Sequence, residues 1–93
     1  MDTGHTTVGI TVNEADSDLF HDLLDLFDAM VPPSRSYHHP ANSDSHLKAA
    51  LMGGSAAVPI SDGELELGRW QAVLLCEFDG PRTRTVRVRI VGT

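Results

Sequence analysis

The sequence predicts an α+β domain: an N-terminal strand, two helices and a C-terminal run of strands. Three observations carry this reading. Val8, Ile10 and Val12 alternate with Gly9, Thr11 and Asn13, the period of two of a half-buried strand. Leu19, Leu23, Leu26, Phe27 and Met30 recur at three- and four-residue steps, the stripe of an amphipathic helix. After Ser55, short apolar runs are separated by Ser61-Asp62-Gly63, Gly68-Arg69 and Asp79-Gly80-Pro81-Arg82, which is turn chemistry between strands. A length of 93 residues makes one domain, 1–93.

In order, the first strand runs toward Asn13-Glu14, with His5, Thr7, Gly9 and Thr11 on its polar face. A glycine on that face lets a side chain or a ligand approach closely. Asp16, Ser17 and Asp18 supply cap oxygens and negative charge for the first helix, matching its positive N-terminal end. Asp18, Asp22, Asp25 and Asp28 with His21 form its solvated face, and Pro32-Pro33 stops it. Residues 34–45 read as loop. Asp44 or Ser45 caps a short helix over His46 to Met52, with Leu47, Ala50 and Leu51 turned inward and Gly53-Gly54 ending it. Ser55 to Ile60 is a short strand. Trp70 to Phe78 is apolar on both faces, as a central strand would be. Thr83 to Val91 alternates Val86, Val88 and Ile90 with Thr85, Arg87 and Arg89, a strand with one wet face.

Composition narrows the function. The net charge of −6 argues against nucleic acid or an anionic membrane as partner, since both need a basic face. It leaves room for a small anion held by local donors. Cys76 is the sole cysteine, so no internal disulfide forms, and a lone thiol in an apolar strand points to a reducing cytoplasm. No apolar run reaches the ~20 residues of a membrane-spanning helix, and no signal-peptide pattern opens the chain.

The stretch from Tyr37 to Lys48 holds three of the five histidines in twelve residues. Imidazole binds metals and moves protons near neutral pH. His39 and His46 lie too far apart in sequence for a standard zinc spacing, and a single loop histidine is usually a surface residue. Joined by His5, with Asn42 and Asp44 between two of them, the trio reads as a site. Glu77 falls on an apolar strand, so it must be paired or protonated; a salt bridge to Arg82 or Arg84 stands level with a site role. Lys48 and Arg82 are candidate anion holders, against the plainer reading of solvated surface. Cys76 is a poor nucleophile because apolar neighbours raise a thiol's pKa.

Several runs together resemble the YjbQ family, small proteins associated with secondary thiamine-phosphate synthesis. They are His5-Thr6-Thr7 leading to Asn13-Glu14; Tyr37-His38-His39; Asn42 through Ala49; Leu51-Met52-Gly53-Gly54-Ser55 with Pro59; Gly63-Glu64-Leu65 and Leu67-Gly68-Arg69-Trp70-Gln71; and Glu77 through Arg82. The resemblance implies a β-sandwich-like core of mostly antiparallel strands with two helices, assembled as a homotrimer. It implies condensation of a hydroxymethylpyrimidine diphosphate with a thiazole phosphate, releasing pyrophosphate. Catalytic roles would fall to His5, His39, His46 and Glu77. Thr6, Thr7, Asn13, Asn42, Asp44, Lys48 and Trp70 would bind the phosphorylated substrate. His5, His39 and His46 would ligate a divalent metal, zinc or magnesium. The alternative is a trimeric metal- or anion-binding protein without turnover, or an inactive fragment.

Two departures accompany the likeness. Family members carry a strand, a helix and a further strand ahead of His-Thr-Thr, whereas only Met1 to Gly4 precede it here. The expectation is a short form with an uncovered sheet edge or core face. Gly54 stands where a proline is common in the family.

Overall fold

The computed structural model describes residues 1–92. Strand β1 (Val8–Glu14) is followed by helix α1 (Ser17–Met30), helix α2 (Ser43–Met52), a small hairpin of β2 (Ile60–Ser61) and β3 (Glu64–Leu65), and strand β4 (Gln71–Glu77). β1 pairs with β4 antiparallel, from Val8 opposite Glu77 to Glu14 opposite Gln71. The Asp62-Gly63 turn takes φ of 52° and 77°, the left-handed pair that a two-residue hairpin demands. The α+β class, both helices and the antiparallel pairing match the sequence reading.

The ends of α1 follow their chemistry. Asp16 is extended, and its carboxylate accepts a bond from the Leu19 N–H at 3.0 Å, a side-chain N-cap. α2 starts at Ser43, earlier than His46, with Asn42 at its cap position. Its inward face also differs from expectation. Ser45, Lys48 and Ala49 are buried while Leu47, Ala50 and Leu51 are exposed. Gly9 explains the rotation. A Cβ there would lie 2.5 Å from Met52 Sδ, so α2 rests its last turn on the bare backbone of β1. The close approach anticipated at Gly9 is thus made by a side chain.

The core is narrow. Val8 and Ile10 are 1% and 2% exposed, joined by Val31, Ala49 and Leu74. No residue of α1 is fully buried; its stripe instead overlooks an apolar groove along β4. Phe20, Leu23 and Phe27 form one wall and Val73, Leu75 and Cys76 the other. β4 is therefore not covered on both faces, and Leu75 is 47% exposed. Nor is a β-sandwich formed among the described residues: the sheets are β1–β4 and β2–β3. The segment from Thr83 to Val91 is not a strand. Its one ladder contact is the exchange of backbone hydrogen bonds between Asp2 and Arg87, at 2.9 and 2.7 Å. Ser55 to Ile60 likewise enters a strand only at Ile60. Alternating sequence supplies strand-like sides, but ladder bonds need a neighbouring edge, and these segments find almost none.

Replacing Gly9 by alanine forces Met52 off β1. We expect Gly9→Ala to lower the unfolding free energy by about 1–3 kcal/mol, measured by chemical denaturation.

Candidate functional site

The antiparallel register brings the start of β1 to the end of β4, and the candidate site lies there. The Phe78 N–H donates to the Thr7 carbonyl at 3.1 Å. The Ser45 hydroxyl donates to the Phe78 carbonyl at 2.6 Å, which ties the first turn of α2 to the same corner. Asn42 does not cap its own helix. Its amide donates to Asp79 Oδ2 at 2.8 Å instead, and Arg82 reaches that oxygen at 3.1 Å. The residue before it, Ala41, has φ of 66°, a left-handed conformation unfavourable for alanine and of the kind that gathers at functional sites.

His39 and His46 meet edge to face, with ring centroids 4.8 Å apart. They come together across the loop-to-helix junction, as their stretch suggested. His5 is engaged differently. Its Nε2 accepts the Thr85 N–H at 2.9 Å, so that nitrogen's lone pair is committed. Among the described residues, no three His, Cys, Asp or Glu side chains are placed to hold a metal. His5, His39 and His46, the ligands that the resemblance implies for zinc or magnesium, are not gathered into one such group among the described residues.

Glu77 is an ion-pair residue. Arg84 grips it with Nε and Nη2, each at 2.5 Å, and donates also to Thr7 Oγ1 at 2.8 Å. The Asp79 N–H adds a bond at 3.0 Å. The Arg84 guanidinium, helped by that amide and opposed by burial, holds the Glu77 carboxyl down to about 2. A carboxylate so stabilised is a weak proton acceptor. Arg84 responds in kind: the bond to Glu77 raises its pKa.

Lys48 is likewise committed. It is 5% exposed, and its ammonium lies 2.5 Å from Asp28 and 3.2 Å from Asp44. Burial alone would lower its pKa, but the bonds to these carboxylates outweigh that, and the net shift is upward. It locks α2 to the end of α1. Lys48 and Asp44, both expected at the substrate, are partners in this clamp. Asp28, assigned from sequence to a solvated face, is its other half. One signal was available: a carboxylate in the last turn opposes the helix dipole and so implies a nearby cation.

The expected set also splits in space. Thr6 and Thr7 lie beside His5, with Thr6 exposed and Thr7 buried. Asn13 and Trp70 stand at the opposite end of the β1–β4 ladder, ~20 Å away by strand rise. Trp70 is 65% exposed and carries Arg69 over its ring at 4.7 Å. Cys76 lines the apolar groove, and burial pushes its thiol pKa up, in keeping with an inert thiol.

Two predictions follow from the charged clamps. Folding depresses the Glu77 pKa, so its stabilisation is present above the ordinary carboxylate range and is lost as pH falls from about 4.5 toward 2. Acid unfolding followed by circular dichroism should show a loss of stability in that window that is smaller in Glu77→Gln. Lys48→Met leaves two carboxylates facing each other, and we expect it to cost about 3 kcal/mol of stability, the low end for a broken buried pair because Asp28 keeps contact with water, by denaturant titration.

The chain resembles known proteins over nearly its whole length. Residues 2–93 match the family described as UPF0047 protein YjbQ-like. A UPF0047 protein of Archaeoglobus fulgidus is 46% identical over 90 residues, covering 94% of this chain and 71% of its own. The UPF0047 protein YugU of Bacillus subtilis is 44% identical over 91 residues, covering 95% and 69%. A crystal structure of an uncharacterised YjbQ/UPF0047 protein from Clostridium acetobutylicum superposes with a TM-score of 0.84 at 47% identity, covering 89% of this chain and 66% of that one. The chain spans about two thirds of the length of such relatives. With the matching runs and the matching fold together, the chain belongs to the YjbQ/UPF0047 family.

Proposed function

We propose that this corner binds the phosphate of a small phosphorylated molecule, and that the reaction served is the one the family resemblance implies: joining a hydroxymethylpyrimidine diphosphate to a thiazole phosphate with loss of pyrophosphate. One observation carries the reading. The paired rings of His39 and His46 stand at the start of α2, whose first-turn N–H groups lack a side-chain cap because Asn42 is drawn to Asp79. A helix N-terminus favours anions. The exposed Arg82 beside Asn42 supplies a planar cation suited to phosphate. In such a site His39 and His46 donate to phosphate oxygens, and Arg82 offsets the charge gathering on a departing diphosphate. Arg84, Glu77 and Lys48 keep the strands and helices in place.

A second reading is favoured by the state of the carboxylates. Glu77 is held at about 2 by Arg84, and Asp44 is engaged by Lys48. Both acids that might take a proton are thus occupied, which suits binding of a phosphate ester without turnover.

Calorimetric titration with inorganic pyrophosphate tests the shared part of both readings. His39→Ala and His46→Ala should each weaken binding roughly 10- to 100-fold, the loss of one charge-assisted hydrogen bond, while Lys48→Met in folded protein should leave it nearly unchanged. Unaltered affinity in both histidine variants overturns the assignment. Pyrophosphate release from the pyrimidine diphosphate and thiazole phosphate then separates an enzyme from a binding protein.

A further inference from the structure

His5 sits where the C-terminal tail crosses the approach to β1, and the tail's backbone holds its ring. Nε2 of His5 accepts the Thr85 N–H at 2.9 Å. Thr3 closes the loop: its hydroxyl donates to the Thr85 carbonyl at 2.9 Å and accepts the His5 N–H at 3.3 Å. A backbone N–H only donates, so unlike a hydroxyl or a water it dictates the state of the nitrogen it meets. A neutral imidazole carries one hydrogen, and where one nitrogen accepts, the other bears it. We propose that Thr3 and Thr85 are positioning residues that hold His5 as its Nδ1–H tautomer, so that the ring meets a ligand as a hydrogen-bond donor. Donation to a phosphate oxygen rests on the phosphate-binding reading; the tautomer does not.

The tail is anchored on both sides of Thr85. Just before it, Arg84 grips Glu77 and donates to Thr7 Oγ1 at 2.8 Å. Two residues after it, Arg87 exchanges backbone bonds with Asp2 at 2.9 and 2.7 Å, and its Nε donates to Asp2 Oδ1 at 2.6 Å. These contacts set which amide of the tail faces His5. The ring then has no lone pair to spare, because Nε2 is engaged and Nδ1 carries the hydrogen. That hydrogen has no partner within the chain among the described residues. A ring in this state selects an oxygen acceptor over a cation. His5 offers it at the end of the ladder where Phe78 meets Thr7 and where Ser45 fastens the first turn of α2. The fixing donor belongs to the backbone, so the identity of residue 85 carries no sign of it in the sequence.

Nitrogen-15 NMR of the histidine rings tests the tautomer, at about pH 8, above the ordinary imidazole range. Comparison with His5→Gln identifies the His5 signals. Wild-type protein should show hydrogen on Nδ1 of His5 and a bare Nε2, the reverse of the pattern usual for a free histidine. Hydrogen on Nε2 overturns the proposal. Thr3→Val should bring in the Nε2–H form while Thr3→Ser keeps the wild-type pattern; a Thr3→Val spectrum like that of wild type overturns the positioning role of Thr3. Calorimetry with inorganic pyrophosphate tests the donor. Asparagine puts an amide N–H near the place of Nδ1, whereas glutamine reaches the place of Nε2 and accepts there from Thr85. His5→Asn should therefore bind roughly 10-fold more tightly than His5→Gln, the difference of one hydrogen bond. Equal affinities, or the reverse order, overturn the donor role. Wild-type protein that shows the Nδ1–H pattern but does not bind pyrophosphate sinks the phosphate reading and leaves the tautomer standing.

Discussion

The register that sets Val8 opposite Glu77 governs both what meets and what stays apart in this chain. It is the one long ladder among the described residues. It brings Thr7 to Phe78, lets Arg84 span Glu77 and Thr7, and gives Ser45 a carbonyl to fasten α2 at that corner. It equally fixes Asn13 and Trp70 at the far end. A slip of one residue would turn every side chain of β1 to the other face and would exchange Gly9, on which Met52 rests, for a larger residue. The bare backbone at Gly9 therefore fixes the register as well as the seat of α2.

Around that ladder, charge is used mainly to hold segments together. Lys48 between Asp28 and Asp44 joins the helices, Arg84 with Glu77 joins the tail to β4, and Arg87 with Asp2 joins the tail to the N-terminus. The buried members differ from the exposed ones in consequence. Arg87 and Asp2 are open to solvent and contribute little. Lys48 is enclosed, and its carboxylates lose their counter-charge if it is removed. The exposed Arg82 is paired as well, with the Asp79 carboxylate and carbonyl, whereas the His39 and His46 rings enter none of these charged clamps.

Local patterns were readable where neighbours in sequence decide the outcome. The alternation of Val8, Ile10 and Val12, the Asp16 cap, the leucine stripe of α1 and the Asp62-Gly63 turn all act over a few residues, and each forms as its pattern implies. The gathering of His39 and His46 was legible for the same reason, because their stretch is short. Partners chosen across the fold were less so. Sequence left Glu77 open between Arg82 and Arg84, and only the path of the tail decides for Arg84. The clamp on Lys48 needs α1 and α2 to lie side by side. Asn13 and Trp70 belong to the same family pattern as the histidines, but pattern says nothing of which end of a ladder a residue occupies. The apolar runs of β4 and residues 83–91 report that these segments seek burial; they do not say what buries them.

Much apolar surface stays in water. Leu75, Trp70, Val88 and Ile90 remain exposed while few side chains are fully enclosed. Apolar surface left in water contributes nothing to stability, so a surface that covers it shifts the folding equilibrium by mass action. The same strand pairing that gives the chain its ladder keeps the exposed Trp70 ~20 Å from the histidine pair, so burial of one end does nothing for the other.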